Sequence, residues 1–217
     1  MDADRTLVAE AAAGSREAFD ELVRRYQARI YGLARTLTGG DPDAEDLVQE
    51  TFVRAFRAVG DFRCESSFHT WLYRIAVNVM KSHLERRRRL DSVTARPAGE
   101  TFKSATEQLP SVEDLEATVA RRQAIDRALA SLPEELRIVI TLRDVQGLEY
   151  REIATITHLP MGTVESRLFR ARQRLRPLLE PLLGSASGGR GPSAKRRRDD
   201  RADGRADGRA DDRDERC

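Results

Sequence analysis

Hydrophobic positions recur every three to four residues through most of this chain, a spacing typical of α-helices with one buried face. One such series predicts a long helix over residues 16–37. A second helix is predicted after Asp41-Pro42, because aspartate is a favoured N-cap and proline suits the first helical position. It ends at Gly60, and a third helix is predicted over residues 67–89. The pattern therefore predicts an all-α protein.

The periodicity is lost twice. Residues 90–114 gather Pro97, Gly99 and Pro110 among polar residues, which predicts a flexible linker. Helical spacing then returns from Leu115 onward, so two helical domains are expected. The stretch after residue 183 has no apolar residue beyond alanine until the terminal cysteine and repeats Arg-Ala-Asp-Gly, which predicts a disordered tail.

Residues 149–175 carry the most informative pattern, two helices joined by a tight turn. In the second helix, which begins near Pro160, four apolar residues form one stripe: Val164, Leu168, Ala171 and Leu175. The exposed side then carries mostly polar and basic residues: Thr163, Glu165, Ser166, Arg167, Phe169, Arg170, Arg172, Gln173 and Arg174. Glu165 and Arg172 lie on one flank of this side. Such a helix suits a DNA major groove. The alternative is an ordinary amphipathic helix with a solvated basic face.

The third helix carries an aromatic residue and an amide seven positions apart, Trp71 and Asn78, with Arg74 and Lys81 beside them. An aromatic ring, an amide and two cations on one edge suit stacking on unpaired bases while holding their phosphates. The alternative is that Trp71 belongs to the core. In the second helix, Phe52 and Phe56 fall on the expected buried stripe.

Charge and composition narrow the function classes. The net charge is +2, and the tail accounts for it, so DNA binding must come from local basic patches. There is no long apolar run and no signal-peptide pattern, which leads us to expect a cytoplasmic protein without membrane insertion. Three scattered histidines and two cysteines, Cys64 and Cys217, form no catalytic or metal-binding pattern, so neither an enzyme nor a cofactor is expected.

Several segments together resemble the extracytoplasmic-function group of bacterial sigma factors: AFDELVRRYQARIYGLA, DAEDLVQETFVRAF, WLYRIAVN, LPEELRIVITLRDVQGLEYREIA and PMGTVESRLFRARQRL. The resemblance implies a transcription initiation factor without chemistry of its own. The implied domain plan is a lead, sigma region two, a linker, sigma region four and a tail: residues 1–14, 15–90, 91–114, 115–183 and 184–217. The rival class is a stand-alone helix-turn-helix regulator, which would need neither two domains nor the acidic second helix.

The resemblance also implies partners and their contact residues. Core RNA polymerase would be bound through its clamp helices and flap, with four candidates exposed on the second helix: Asp46, Gln49, Glu50 and Val53. The downstream promoter element would be read and melted by a loop and the edge of the third helix: Phe62, Arg63, Cys64, Glu65, Ser66, Trp71, Arg74, Asn78 and Lys81. The helix that begins at Pro160 would read the upstream element. An anti-sigma factor is a further implied partner.

Two positions depart from the family's pattern. His158 stands in the turn where relatives often have glycine, so its backbone must be strained or reach the turn differently. Glu165 stands where relatives are frequently basic, and a carboxylate can accept from cytosine but cannot donate to guanine. Glu165 either reads a base directly or orients a neighbouring arginine. Cys64 is either a plain small residue or a redox-sensitive one.

Overall fold

Every regular element that the computed structural model describes is helical, over residues 4–40, 42–63, 66–94 and 112–184. The all-α prediction is confirmed. The predicted linker, residues 91–114, is helical at both ends, because the helix before it runs to Thr94 and the helix after it begins at Val112. Residues 95–111 and the predicted tail beyond Gly184 lie outside the described residues. The described residues belong to one compact unit. Of its helices, none combines the length and apolar content needed to cross a lipid bilayer.

The described residues of the N-terminal domain form four α-helices and one short 3-10 turn: α1 (Arg5–Ala12), α2 (Arg16–Thr38), α3 (Ala44–Ala58), the turn Val59–Asp61, and α4 (Phe68–Thr94). Local chemistry sets the ends of α2. The Ser15 hydroxyl accepts a hydrogen bond from the Ala18 N–H at 3.1 Å, as an N-cap does. Gly39 follows the helix in the left-handed conformation, with φ of 72°.

The C-terminal domain also has four α-helices, interrupted by one π-helical turn: α5 (Val112–Ala130), α6 (Glu134–Ile140), the π-turn Thr141–Val145, α7 (Tyr150–Thr157) and α8 (Met161–Gly184). The predicted stripe of α8 is buried at all four positions. The helix continues beyond the expected stripe through Pro177 and Pro181. Proline fits helical φ and costs the hydrogen bond of its missing N–H.

The core of the N-terminal domain is built from α2, α3 and α4, and one sequence expectation is wrong there. Leu22, Ile30 and Leu72 are fully buried. Phe56, however, is 45% exposed, although its position on α3 suggested the core. Its ring meets the edge of Phe19, with centroids 5.0 Å apart. Because α3 packs with a slightly rotated face, Phe56 lies at the border between core and surface.

The two domains are in direct contact. Helix α7 packs against α4, and α5 packs against α2. At the edge of this contact Arg35 lies 3.6 Å from Asp126. Arg88 at the far end of α4 pairs with Glu134 at the start of α6. The sequence pattern gave no expectation of how the domains pack.

Candidate nucleic-acid interface

Helix α7 and its turn orient helix α8, the predicted DNA-reading helix. At the start of α7 the Glu149 N–H donates to the Glu152 carboxylate at 2.9 Å, which is half of a complete capping box. At its end His158 adopts the left-handed conformation, with φ of 55° and ψ of 37°. It is the one non-glycine residue with positive φ among those described. The sequence expectation of a strained turn is therefore confirmed, since histidine reaches the conformation that glycine reaches more easily.

The outer face of α8 is open. Phe169 is 63% exposed, which is unusual for a large aromatic side chain. Five of the predicted reading residues are also exposed: Glu165, Ser166, Arg170, Gln173 and Arg174. Thr163 and Arg167 are half-buried at its edge. The predicted face thus exists as one surface, with an aromatic ring among polar and charged groups.

Two arginines of α8 are held within the C-terminal domain. Arg172 donates to both carboxylate oxygens of Asp144, at 3.2 Å from Nε and 2.8 Å from Nη2. The Asp144 carboxylate and then the Tyr150 hydroxyl raise the pKa of the Arg172 guanidinium. Arg167 donates to Glu135 at 2.9 Å. Glu165, Arg170 and Arg174 form no ion pair with any residue that the structure describes.

A π-helical turn places Asp144 beneath α8. The Gln146 N–H donates at 2.9 Å to the Thr141 carbonyl, five residues earlier, which widens the helix at this point. Arg143 donates to the Leu148 carbonyl at 2.8 Å, and its guanidinium lies 5.0 Å from the centroid of the Tyr150 ring. Sequence reasoning missed this support, because a π-turn leaves no periodic signal and Asp144 is 28 residues from its partner.

The predicted edge of α4 is only partly open. Asn78 is exposed, and Arg74 and Lys81 are half-buried. Trp71 is only 7% exposed, because its ring packs on Phe62 and Phe68 with centroids 5.1 and 5.5 Å apart. The structure therefore does not present Trp71 and Asn78 as one open surface, in contrast to the sequence expectation.

Trp71 borders a cleft of about 300 Å³ between the loop before α4 and helix α7. Its walls include four predicted downstream-element residues besides Trp71, and one residue of α7: Phe62, Arg63, Ser66, Arg74 and Thr155. Cys64 and Glu65 lie outside the described residues. The predicted loop and the tryptophan are thus brought together, with the C-terminal domain on the opposite wall.

The exposed face of α3 combines acidic and apolar groups. Asp46 and Gln49 are exposed, and Glu50 is half-buried and pairs with Arg54 in the next turn. Val53 is 47% exposed and lies beside the equally exposed Phe56. A charged face with a small apolar patch is a suitable protein-binding surface.

Comparison with known proteins agrees with this architecture. Residues 22–90 match sigma-70 region 2, and residues 122–175 match sigma-70 region 4. The RNA polymerase sigma-H factor of Pseudomonas aeruginosa is 41% identical over 189 residues, covering 82% of this chain and 97% of that protein. The ECF RNA polymerase sigma-E factor of Escherichia coli K12 is 44% identical over 175 residues, covering 78% of this chain and 91% of that protein.

Solved structures give the same result. The structure of CnrH in complex with the cytosolic domain of CnrY has a TM-score of 0.61 at 33% identity, covering 83% of this chain and 99% of that one. The sigma factor RpoE of Bartonella quintana, solved with the anti-sigma factor NepR, has a TM-score of 0.64 at 28% identity, covering 75% of this chain and 96% of that one. The chain belongs to the ECF group of the sigma-70 family of RNA polymerase sigma factors.

Proposed function

We propose that this sigma factor, which directs RNA polymerase to promoters, divides the work between its domains. The C-terminal domain reads an upstream element as duplex DNA with the outer face of α8. The N-terminal domain binds core polymerase through α3 and melts the downstream element with α4 and the loop before it. The proposed domain limits are residues 15–90 and 115–183.

The exposed, unpaired face of α8 is the observation that carries the upstream assignment. Glu165, Phe169 and Arg170 are exposed, and none of them is engaged by another described side chain. Arginine can donate two hydrogen bonds to guanine, a carboxylate accepts from cytosine, and an aromatic edge meets the thymine methyl. Ser166, Gln173 and Thr163 supply further polar contacts, and Arg174 is suited to phosphate.

Arg172 and Arg167 have a different role in this proposal. Each is already bound to a carboxylate of its own domain, Asp144 and Glu135 respectively. An arginine bonded through two nitrogens to one carboxylate fixes direction as well as distance. Arg172 is therefore a positioning residue, which sets the angle at which α8 enters the groove. Arg167 supports the first turns of the same helix.

Helix α3 is the proposed polymerase-binding surface. Asp46, Gln49, Glu50 and Val53 lie on its exposed face, as the sequence predicted. Phe56 joins them in the structure and adds an aromatic anchor. Aromatic side chains surrounded by polar groups supply much of the binding energy in protein interfaces.

Melting is proposed to use the aromatic side of the cleft. Trp71 would stack on a base that has left the duplex, with Phe62, Arg63, Cys64, Glu65 and Ser66 forming the loop that captures it. Arg74, Asn78 and Lys81 follow along α4 and would hold the strand. Base–aromatic stacking is worth about 1–3 kcal/mol per base, enough to hold a strand once it is separated.

Two solved structures similar to this chain contain a second protein: CnrH is bound to the cytosolic domain of CnrY, and the sigma factor RpoE is bound to the anti-sigma factor NepR. We infer that an anti-sigma factor is a partner of this chain too. The proposed function requires core polymerase and promoter DNA, so we propose that the protein acts in the cytoplasm. In this proposal the polymerase catalyses RNA synthesis. A stand-alone helix-turn-helix regulator is not favoured, because it would not need the region 2 domain.

The proposed function is tested by adding the purified chain to core RNA polymerase on genomic DNA and sequencing the 5′ ends of the transcripts. We expect a limited set of start sites that share an upstream and a downstream element. Start sites identical to those of core polymerase alone would overturn the proposal. Binding to one duplex element with no effect on polymerase would favour the stand-alone regulator.

A further inference from the structure

Helix α1 lies before the residues that match sigma-70 region 2, which begin at residue 22, yet it packs on that domain. Val8 and Ala11 on its inner face are buried. The helix contacts both α2 and the 3-10 turn Val59–Asp61. The family resemblance implied only a lead over residues 1–14. The packing instead places α1 beside the turn that leads to the aromatic side of the cleft.

Asp4 joins the start of α1 to the middle of α2. It is the N-cap residue of α1, but its side chain accepts no hydrogen bond from that helix. One carboxylate oxygen accepts instead from the Tyr26 hydroxyl, and the other accepts from Nη1 of Arg25 at 2.9 Å. An N-cap aspartate ordinarily stabilises its own helix by accepting from a backbone N–H. At Asp4 the carboxylate therefore serves the contact with α2 rather than the helix that it begins.

Tyr26 extends this contact to the start of α4. Its ring meets Phe68 edge to face, with centroids 5.6 Å apart, and stacks on His69 with centroids 5.8 Å apart. Phe68 in turn packs on Phe62 and Trp71, with centroids 6.2 and 5.5 Å apart. Aromatic rings with centroids roughly 4.5–7 Å apart prefer particular relative orientations, so each ring restricts the next. The orientation of Tyr26 therefore affects the two rings that border the cleft.

Helix α1 also supports the turn that precedes Phe62. The Phe62 N–H donates to the Val59 carbonyl at 3.1 Å, which closes the 3-10 turn. That turn lies beside the last turn of α1, where a Cβ atom on Gly60 would be 4.0 Å from the Ala12 carbonyl oxygen. Helix α1 thus holds Phe62 through this turn and Trp71 through the ring contacts.

We propose that α1 is a positioning element for promoter melting and that Asp4 is its positioning residue, acting through Tyr26 on Phe62 and Trp71. Neither α1 nor Asp4 touches DNA in this role. Rings that are already held in place lose little conformational freedom when they stack on an unpaired base, which raises the affinity for that base. The inference rests on the proposed function for the identity of the downstream reader.

The test uses holoenzyme assembled from core polymerase and the full chain. The probe is a fluorescent single-stranded oligonucleotide with the downstream element of one promoter found by transcript mapping, and a scrambled strand of equal composition measures background binding. Tyr26→Phe removes the hydroxyl and keeps the ring, and Asp4→Ala removes the acceptor. We expect each variant to reduce the preference for the element about two- to tenfold, as the loss of one hydrogen bond implies. The double variant should lose no more than Asp4→Ala alone, because the two residues act as a pair.

Tyr31→Phe and Glu10→Ala are the matched controls. The first removes an exposed hydroxyl from α2, and the second removes an exposed carboxylate from α1. Both should keep the preference of the parent protein. Co-purification with core polymerase and binding to upstream duplex DNA should be unchanged in all variants, because α3 and α8 are not held by Asp4. Those two measurements separate a positioning effect from a general loss of the fold.

Trp71 is the single tryptophan of the chain, so its fluorescence reports the packing of the rings. Quenching by acrylamide should increase in Tyr26→Phe and Asp4→Ala and stay the same in the controls. An unchanged preference for the element in both variants would overturn the role of α1. A reduced preference with unchanged quenching would overturn the path through the rings, and an equal loss of core binding would make α1 structural only. A parent holoenzyme that does not prefer the element would refute the proposed downstream reader, and this inference with it.

Discussion

Arg172 of α8 and Asp144 of the π-turn are joined by two hydrogen bonds, of 3.2 and 2.8 Å, across 28 residues of sequence. The sequence left open whether Glu165 reads a base or orients a neighbouring arginine, and this pair shows that Arg172 is oriented by Asp144 instead. Glu165 has no ion pair with Arg172, and Arg167 is bound to Glu135 instead. The exposed carboxylate of Glu165 is therefore available to a base edge.

Glu165 is expected to read one base pair of the upstream element. Replacing it by Gln or Arg should change the preferred base at that position by roughly 1–3 kcal/mol, because a carboxylate accepts from cytosine whereas arginine donates to guanine. Selection from a randomised duplex pool measures the preference. Glu180→Arg, a charge reversal at an exposed position further along α8, should change affinity without changing the preferred sequence. An unchanged preference in Glu165→Arg would show that Glu165 reads nothing.

Asp144→Ala is expected to weaken upstream binding about two- to tenfold for all sequences alike. Both side chains of the pair are more than two-fifths exposed, so the stability lost should be small, about 0–1 kcal/mol. DNA binding weakens because the Arg172 side chain is no longer held in one direction. Arg172→Lys should weaken binding in the same way, because lysine lacks the two-nitrogen fork that binds both oxygens of Asp144. Titration of one selected duplex and of a random duplex measures both effects. A change of preferred sequence in Asp144→Ala would assign Arg172 to base reading.

Substitutions of Trp71 and of Asn78 are expected to have different effects on folding stability, but both should reduce promoter melting. Trp71→Ala removes a ring packed on Phe62 and Phe68 and should cost about 3–5 kcal/mol of folding free energy. Asn78 is exposed, so Asn78→Ala should fold normally and form fewer open complexes on duplex promoters. Trp71→Phe tests stacking with less damage to the core.

The melting defect of Asn78→Ala should shrink on a template with a pre-melted bubble, where strand separation is already complete. Permanganate reactivity of unpaired thymines measures open complexes on both templates. Equal losses on duplex and bubble templates would make the residue structural rather than a part of the melting edge.

The face of α3 is expected to carry polymerase binding. Asp46→Arg with Glu50→Arg should leave thermal unfolding nearly unchanged, because Asp46 is exposed and the ion pair of the half-buried Glu50 with Arg54 is worth only about 0–1 kcal/mol. The double variant should weaken co-purification with core polymerase. Phe56→Ser should act in the same direction through the lost aromatic contact. Glu10→Arg with Asp20→Arg, at exposed positions of α1 and α2, is the control. Undiminished polymerase binding by the α3 variants would contradict the assignment.

His158→Gly is expected to stabilise the C-terminal domain by about 1 kcal/mol, because glycine adopts the left-handed conformation at φ of 55° without the steric cost of a Cβ atom. His158→Val should destabilise it by more than that, since a β-branched residue fits this conformation worst. Urea unfolding of the full chain measures both. A less stable His158→Gly would show that the imidazole makes a compensating contact.

The recurrence of apolar residues determined the helices and their buried stripes. Val164, Leu168, Ala171 and Leu175 are buried as their spacing predicted, and Ser15 caps α2 as its position before the helix predicted. These features follow from the sequence because they depend on residues three or four apart, whose relative placement the helix itself fixes. The turn at His158 was expected from the resemblance instead, because relatives often have glycine at that position.

The tertiary structure alone decided which side chains are free. Phe56 lies at the surface, Trp71 is packed between Phe62 and Phe68, and Arg172 is held by Asp144. The Thr70–Glu152 contact joins residues 82 positions apart. Such outcomes depend on how whole helices rotate and pack against each other, and many arrangements satisfy the same periodic pattern. The sequence determined the helices and the family, and packing decided which side chains stay exposed on them.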